Sequence, residues 1–353
     1  MTSIHVDTVR PYDILIDRGT LPRAGEILRN LHAPCKVAII TDDIVKTLYG
    51  KIATESLEKS GFEVHCFAFP NGELSKNLGT FEKILCFLSE ADITRSDIVL
   101  ALGGGVVGDL AGFAAASYLR GIDYIQVPTT LIAAVDSSVG GKTGLNLPTG
   151  KNLCGIFHQP SLVLIDCDCL ATLPKHQFAD GISEAIKYGL IADESLFELI
   201  KSGDAQAHID EIVTCCVQLK AQIVAEDEFD TGRRRLLNFG HTFGHAIERC
   251  SGYSISHGHA VGIGMVMSAK GACSLGISSE NFAPAIENAL KMYNLPTKPS
   301  SGADKLVSAM LSDKKRLGDT ISLILPERIG LCRIHDIPVN ELSTFVNCAI
   351  EER

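Results

Sequence analysis

Four of the chain's eleven histidines, His241, His245, His257 and His259, fall within "NFGHTFGHAIERCSGYSISHGHAV", residues 238–261. Histidine is the commonest metal ligand and the usual general acid or base near neutral pH. His241 and His245 are four residues apart, so on a helix they share one face and suit joint chelation. Glu248 continues that face, where it reads as a solvated helix end. A zinc protease carries Glu directly after the first histidine of such a pair; here Thr242 stands there, which excludes that class. A catalytic metal held by histidines usually takes a carboxylate as well and keeps an open position. The best distant carboxylate is Glu184 in "FADGISEAIKYGL", for which the plain reading is a surface ion pair with Lys187. His257-Gly258-His259 opens a glycine-punctuated helix, a poor setting for a satisfied core histidine.

"ALGGGVVGDLAGFAAA" sets Gly103, Gly104, Gly105 and Gly108 after a strand and before a helix of small residues. Glycine lets backbone approach a pyrophosphate, and the helix N-terminus offers amide donors. The plain reading is a tight strand–helix turn; the dinucleotide reading gains from the context. Asp42, at the end of an earlier strand, could hold a ribose, and Asp109 is the other polar group of the turn. "VDSSVGGKTG" is not a P-loop: the glycine needed five residues before Gly141-Lys142-Thr143 is replaced by Asp136. Lys142 and Lys151, among glycines and polar turn residues, could still meet an anion, as could Arg120 and Arg234. Spacing thus describes a metal- and NAD-dependent enzyme acting on a phosphorylated or carboxylated polyol, without choosing the reaction.

The elements that must position these residues fall into two textures. Residues 36–43, 63–69, 97–105, 123–130 and 162–168 are strand-like, with helical stretches such as 79–90 between several of them. That pattern predicts an α/β domain with a parallel, Rossmann-like sheet over residues 1–174. From 175 to 353 the segments 178–191, 195–201, 207–226, 238–250, 258–275, 281–293 and 303–313 read as helices. Only "TISLILP" (320–326) looks like a strand there, so an all-α, or mainly helical, C-terminal domain is expected. An active site is expected in the interdomain cleft, at the carboxyl ends of the strands.

The formal net charge of −10 argues against non-specific binding of nucleic acid or anionic membrane. No apolar run approaches the roughly 20 residues needed to span a bilayer, and the N-terminus lacks the pattern of a signal peptide. A cytoplasmic protein is expected. The twelve cysteines include no C-x-x-C, and reduced, mostly buried thiols are expected, with Cys86 in "ILCFL" an example.

The blocks "GGGVVGDLAGF", "RGI", "QVPTTLIAAVDSSVGGKTGLN", "GKNLCGIFHQP", "GISEAIKYG", "LNFGHTFGHAIE", "SHGHAVGIGM" and "SDKKRLG" stand in the order and spacing of the 3-dehydroquinate synthases, of the sugar-phosphate cyclase superfamily. The resemblance covers nearly the whole chain. It implies a phosphate-eliminating lyase, the second step of the shikimate pathway toward chorismate and the aromatic amino acids. Such an enzyme converts 3-deoxy-D-arabino-heptulosonate 7-phosphate (DAHP) to 3-dehydroquinate and phosphate. The implied course is transient oxidation by NAD, β-elimination of phosphate, reduction, ring opening and intramolecular aldol closure. One divalent metal, zinc or else cobalt, serves as Lewis acid.

By the same resemblance the metal ligands are Glu184, His241 and His257. NAD is assigned to Asp42, Glu73, Lys76, Gly104, Gly105, Asp109, Thr129, Thr130, Lys142, Lys151 and the segment from Cys169 to Thr172. The substrate carboxylate is assigned to Arg234, Lys220 and Asn238. The phosphate is assigned to Lys142, Asn152, His245, Lys315 and an Arg120 reaching from the second subunit of a homodimer. Asp136 and Lys187 are similar to groups on the substrate hydroxyls. The departing phosphate is credited with much of the proton abstraction. Three places depart from the family pattern: His259 stands where an acidic residue is common, Asn71 and Ser75 where Asp and an aromatic are common, and Asp230 where a glutamate usually lies. The rival readings are a related cyclase acting on a substrate without a carboxylate, a metal-dependent polyol dehydrogenase, and a catalytically dead scaffold.

Overall fold

The computed structural model describes residues 1–311, 316–317 and 319–351. The elements begin with β1 (Thr2–Val6), β2 (Tyr12–Asp17), α1 (Ala24–Arg29), β3 (Lys36–Asp42), α2 (Asp43–Val45), α3 (Lys51–Lys59) and β4 (Glu63–Phe69). They continue with α4 (Leu78–Glu90), β5 (Ile98–Gly103), α5 (Gly105–Ser117), β6 (Asp123–Pro128), β7 (Lys142–Leu147), β8 (Gly150–Phe157) and β9 (Leu162–Asp166). Then come α6 (Lys175–Ala192), α7 (Glu194–Lys201), α8 (Ile209–Glu226), α9 (His241–Cys250), α10 (His257–Ser274), α11 (Ala283–Met292) and α12 (Ala303–Leu311). The chain closes with β10 (Arg316–Leu317), β11 (Thr320–Arg328), β12 (Leu331–Pro338) and α13 (Leu342–Ile350). Two compact units result, Met1–Leu173 with Lys220–Phe229 and Pro174–Leu219 with Asp230–Arg353, the division falling inside α8.

The first unit is built on a seven-stranded sheet of order β1-β2-β9-β6-β5-β3-β4. All neighbours are parallel except β1 and β2. Along β3, Val37 and Ile39 enter one apolar layer, whereas Ala38 and Ile40 enter the other. Burial on both faces is what a parallel sheet covered by helices requires, and it explains why these strands read as continuous apolar runs. The five strands read from the sequence are β3, β4, β5, β6 and β9. β1 and β2 were not read, although β2 alternates buried and less buried residues along "YDILID".

Lys142 and Lys151, expected among glycines and polar turn residues, lie instead on the antiparallel hairpin β7–β8. Gly144 and Gly155 stack backbone on backbone there: a Cβ on Gly155 would lie 2.1 Å from the Thr143 carbonyl oxygen. Lys142 and Lys151 are therefore strand residues, not loop residues.

The second unit is mainly helical. Its core joins Phe243 and Ile247 of α9, Ile263 and Met267 of α10, Leu306 of α12 and Phe345 of α13 to Leu323 and Leu325 of β11. The expected strand is β11; it pairs with β10 and with β12, whose sequence "LCRIHDIP" was not read as a strand. No helix among the described residues is long and apolar enough to cross a membrane. All twelve cysteines are free thiols, with Cys167, Cys169, Cys216 and Cys332 buried. Cys86 is exposed, contrary to expectation, because on α4 it falls between the core-facing Ile84 and Leu88.

Candidate active site

The helix α9 starts after Gly240, which adopts a left-handed φ of 77°. A Cβ on Gly264 of α10 would lie 2.0 Å from the Gly240 carbonyl oxygen, and one on Gly244 would lie 3.2 Å from Val261. Only glycine permits backbones this close. The approach brings the rings of His241 and His257 to 5.1 Å. Glu184, fully buried on α6, completes the group: its Oε1 is 3.5 Å from the Nε2 of His241 and 3.5 Å from the Nε2 of His257.

The other ring nitrogens are spoken for. His241 Nδ1 donates to the Phe239 carbonyl at 3.1 Å, and His257 Nδ1 donates to Glu248 Oε2 at 3.3 Å. Both Nε2 atoms are thereby turned toward Glu184, the arrangement a second layer of hydrogen bonds imposes on metal-ligating histidines. Two ligands of one tetrahedral zinc, at about 2.1 Å each, lie about 3.4 Å apart. The Glu184, His241 and His257 donors fit one divalent ion.

Electrostatics within this group oppose one another. Burial lowers the pKa of His241 well below the usual imidazole value, with Glu184 opposing and Lys187 and His257 assisting. Burial also acts against the His257 cation, but hydrogen bonds and charge from Glu184 and Glu248 outweigh it and raise its pKa to about 10. Lys187 Nζ lies 2.5 Å from Glu184 Oε2, and both side chains are at most 1% exposed. The pair forecast for the surface is therefore buried. Glu248 is buried too, not a solvated helix end, because the close approach of α10 covers that face of α9.

Joint chelation by His241 and His245 is not what the geometry presents. Glu184, His241 and His257 form one group of converging ligand atoms; His245, Glu248 and His257 form another. Neither contains both residues of the helical pair, although their rings are 5.7 Å apart. The bond from His241 to Phe239 turns its Nε2 toward α6 instead. His259 sits apart, with its Nδ1 2.7 Å from Asp180 Oδ1 and 2.7 Å from Ser256 Oγ. Sequence reasoning missed Asp180; its signal was its position one turn before Glu184. In the same unit Arg234 is 1% exposed on the turn Arg233–Asn238, and Asn238 donates to the Arg235 carbonyl. Lys315 lies outside the described residues.

In the first unit the winding of the sheet reverses between β3 and β5, with β4 to one side and β5 to the other. Ligands of open α/β sheets bind outside the carboxyl ends at such a reversal. Asp42 ends β3, and Gly103 to Gly105 join β5 to the N-terminus of α5. A Cβ on Gly104 would crowd Thr130 and one on Gly105 would crowd Ser137, each at 3.0 Å. Thr129 is tied to the turn, its N–H donating to the Gly103 carbonyl at 3.0 Å. Thr130 Oγ1 accepts from Ala133 N at 3.3 Å. Asp42 is buried and spends one carboxylate oxygen on the N–H of Val45.

Several residues given separate roles meet in one network. Lys76 Nζ reaches Asp109 at 2.5 Å and Asn152 Oδ1 at 2.6 Å. Asn146 donates to Glu73 at 2.6 Å and accepts from Asn152 N at 2.8 Å. Burial pushes the Asp109 carboxyl up, with Lys76 pulling against it. Lys220 Nζ binds both the backbone carbonyl and Oδ1 of Asp136, each at 2.6 Å. Tyr49 OH links Thr172 Oγ1 at 2.6 Å with the Cys169 carbonyl at 2.9 Å; burial pushes the Cys169 thiol up to about 12. Where an aromatic was the family expectation, Ser75 closes its turn by donating to the Pro70 carbonyl. Arg120 is exposed at the far end of α5, in a turn where Leu119, Arg120 and Gly121 all have positive φ.

Comparison with known proteins agrees with this fold. The solved 2-deoxy-scyllo-inosose synthase complexed with carbaglucose-6-phosphate, NAD+ and Co2+ superimposes with a TM-score of 0.88 at 25% identity, over 98% of this chain and 99% of that one. A 2-epi-5-epi-valiolone synthase from Streptomyces hygroscopicus subsp. jinggangensis 5008, with NAD+ and Zn2+ bound, gives a TM-score of 0.86 at 28% identity, over 96% of each chain. The architecture is thus that of the sugar-phosphate cyclases. Within that class, residues 66–180 match the 3-dehydroquinate synthase N-terminal family and residues 181–316 the 3-dehydroquinate synthase C-terminal family. The 3-dehydroquinate synthase of Streptococcus suis strain 05ZYH33 is 46% identical over 343 residues, covering 95% of this chain and 97% of that protein. The chain belongs to the 3-dehydroquinate synthase family.

Proposed function

We propose that this protein converts DAHP to 3-dehydroquinate and phosphate. The observation that carries the reading is the convergence of Glu184, His241 and His257 in a chain of this family. When bound, NAD at the Gly104–Gly105 turn supplies a reversible hydride acceptor, and zinc or cobalt on Glu184, His241 and His257 supplies a Lewis acid.

The remaining work belongs to the protein's own side chains. Arg234, Lys220 and Asn238 bind the substrate carboxylate. Asp136 holds the Lys220 ammonium ready, within 2.6 Å, until a carboxylate or hydroxyl of the substrate shares it. Lys187, paired with Glu184, donates a hydrogen bond to a substrate hydroxyl. His245, Lys142, Asn152 and Lys315 hold the phosphate. Fixing one flexible substrate through successive steps is chiefly a matter of orientation. Arg120, exposed beyond the end of α5, reaches the phosphate from the second subunit of a homodimer, as the family resemblance implies.

The structural likeness to 2-deoxy-scyllo-inosose synthase favours one second reading, a cyclase for a substrate without a carboxylate. Incubating the purified protein with DAHP, NAD and zinc tests both. Phosphate release without accumulating NADH is expected. No release from DAHP, but turnover of glucose 6-phosphate or sedoheptulose 7-phosphate, would overturn the reading; stoichiometric NADH would indicate a dehydrogenase.

A further inference from the structure

The first turn of α10 is capped by a side chain from another helix. Ser256 occupies the N-cap position, yet its hydroxyl makes no capping bond to the helix. The N–H that such a serine would ordinarily satisfy, that of the third helical residue His259, donates instead to Asp180 Oδ1 at 3.0 Å. The same oxygen accepts from Ser256 Oγ at 2.6 Å and from His259 Nδ1 at 2.7 Å. One carboxylate oxygen of α6 thus gathers three donors from the start of α10, where the helix dipole also favours negative charge.

The backbones meet at the same place. A Cβ on Gly258 would lie 2.4 Å from both the Cα and the carbonyl oxygen of Asp180. Asp180 stands four residues before Glu184 on α6, on the same face. His257 is the first residue of α10, between the capped serine and the glycine pressed on Asp180. The contact therefore fixes the first turn of α10 against α6 one turn from where Glu184 Oε1 and His257 Nε2 come within 3.5 Å.

We infer that Asp180 is a positioning residue for the metal centre: with Ser256, Gly258 and His259 it sets the distance between the ligands Glu184 and His257. This rests on the metal-site reading above. His259 then acts through Asp180, not as a ligand.

The test uses the full-length protein, stripped of metal and titrated with zinc against a chromophoric chelator, then with cobalt followed by its visible spectrum. Asp180→Ala is expected to weaken metal binding about 10- to 100-fold, the range found for partners of metal-ligating histidines, and to alter the cobalt bands. Asp180→Asn, which keeps an acceptor oxygen in place, should recover most of the affinity. His259→Ala, a milder change that serves if Asp180→Ala does not fold, should weaken binding in the same direction. Wild-type affinity and an unchanged cobalt spectrum in Asp180→Ala or His259→Ala, with only a lower melting temperature of the metal-free protein, would reduce the contact to a helix cap and overturn the inference. Glu184→Gln separates the two levels: if it binds zinc like the wild type, the ligand assignment itself fails, whatever Asp180 does.

Discussion

Glu248 Oε2 lies 3.3 Å from His257 Nδ1, while the Nε2 of the same ring faces Glu184. The imidazole is therefore held between two carboxylates from two different helices, and Glu248 is itself buried. Without metal this favours the imidazolium, with a pKa raised to about 10. A ligand must be neutral to coordinate, so a metal held at His257 would displace that proton. Glu248 would remain as the acceptor for Nδ1, leaving Nε2 free for a metal held with Glu184 and His241.

Metal binding at pH 8 should accordingly release about one proton per ion. Calorimetry in buffers of differing ionisation enthalpy reads this directly. Affinity should rise with pH until about 10. In the metal-free protein the raised pKa stabilises the fold fully below the unfolded value of about 6.5, and this is lost as pH rises through the folded value. Zinc affinity that is flat between about pH 6 and about pH 9, below the raised pKa of His257, would contradict this account.

Glu184→Gln should abolish stoichiometric zinc binding. It also removes the charge opposite Lys187, which is 1% exposed. Breaking a buried pair from one side costs on the order of 3 kcal/mol, so the metal-free variant should unfold at lower urea than the metal-free wild type. Equal urea midpoints would mean that Lys187 draws no stabilisation from Glu184.

What could be read from the sequence follows from how local each signal is. The turn Gly103-x-Gly105-x-x-Gly108 is a local pattern, and the glycines that make it legible are those whose Cβ would meet Val107, Ser137 and Gln126. The buried strands β3 and β5 were legible because both faces are apolar. The state of Glu248 was not: its burial depends on the close packing of α10 at Gly244 and Gly264, a relation between distant residues. For the same reason spacing coupled His241 with His245, whereas the partner that lies against it, Glu184, is 57 residues away in the chain (241 − 184). The β7–β8 hairpin was hidden because glycines that serve backbone stacking look like turn residues. Asp180 carried no signal beyond its place on the Glu184 face.

Asp97 gives a pH-dependent prediction in the first unit. Its carboxylate accepts from Thr94 N and Thr94 Oγ1, both at 2.7 Å, and from Lys36 N at 2.8 Å. Burial by itself would raise its pKa, but these bonds and the Lys36 charge outweigh it and hold the group below the usual carboxylate range. The stabilisation is therefore present above the unfolded pKa of about 3.9 and lost as pH falls through the lower folded value. Asp97→Asn should cost about 1.5–3 kcal/mol at neutral pH. Urea unfolding of variant and wild type should converge as the solution is acidified below that unfolded value. A constant gap down to the acid limit of folding would show that charge plays no part.

Gly108 tests whether the glycine turn is constrained by packing. A Cβ there would lie 2.5 Å from Oε1 of the buried Gln126 on β6. In a helix interior Gly→Ala ordinarily gains about 1 kcal/mol. Overpacking costs about 1–3 kcal/mol, and here the obstacle is a side chain with little room to move. Gly108→Ala should therefore destabilise the wild-type background. In a Gln126→Ala background the obstacle is gone, and the same change should stabilise. The sign reversal is measured by urea unfolding of the four proteins of a double-mutant cycle. A stabilising Gly108→Ala in both backgrounds would mean that α5 shifts freely on β6, and the glycine would then be kept for the approach of a ligand and not for the fit of helix to sheet.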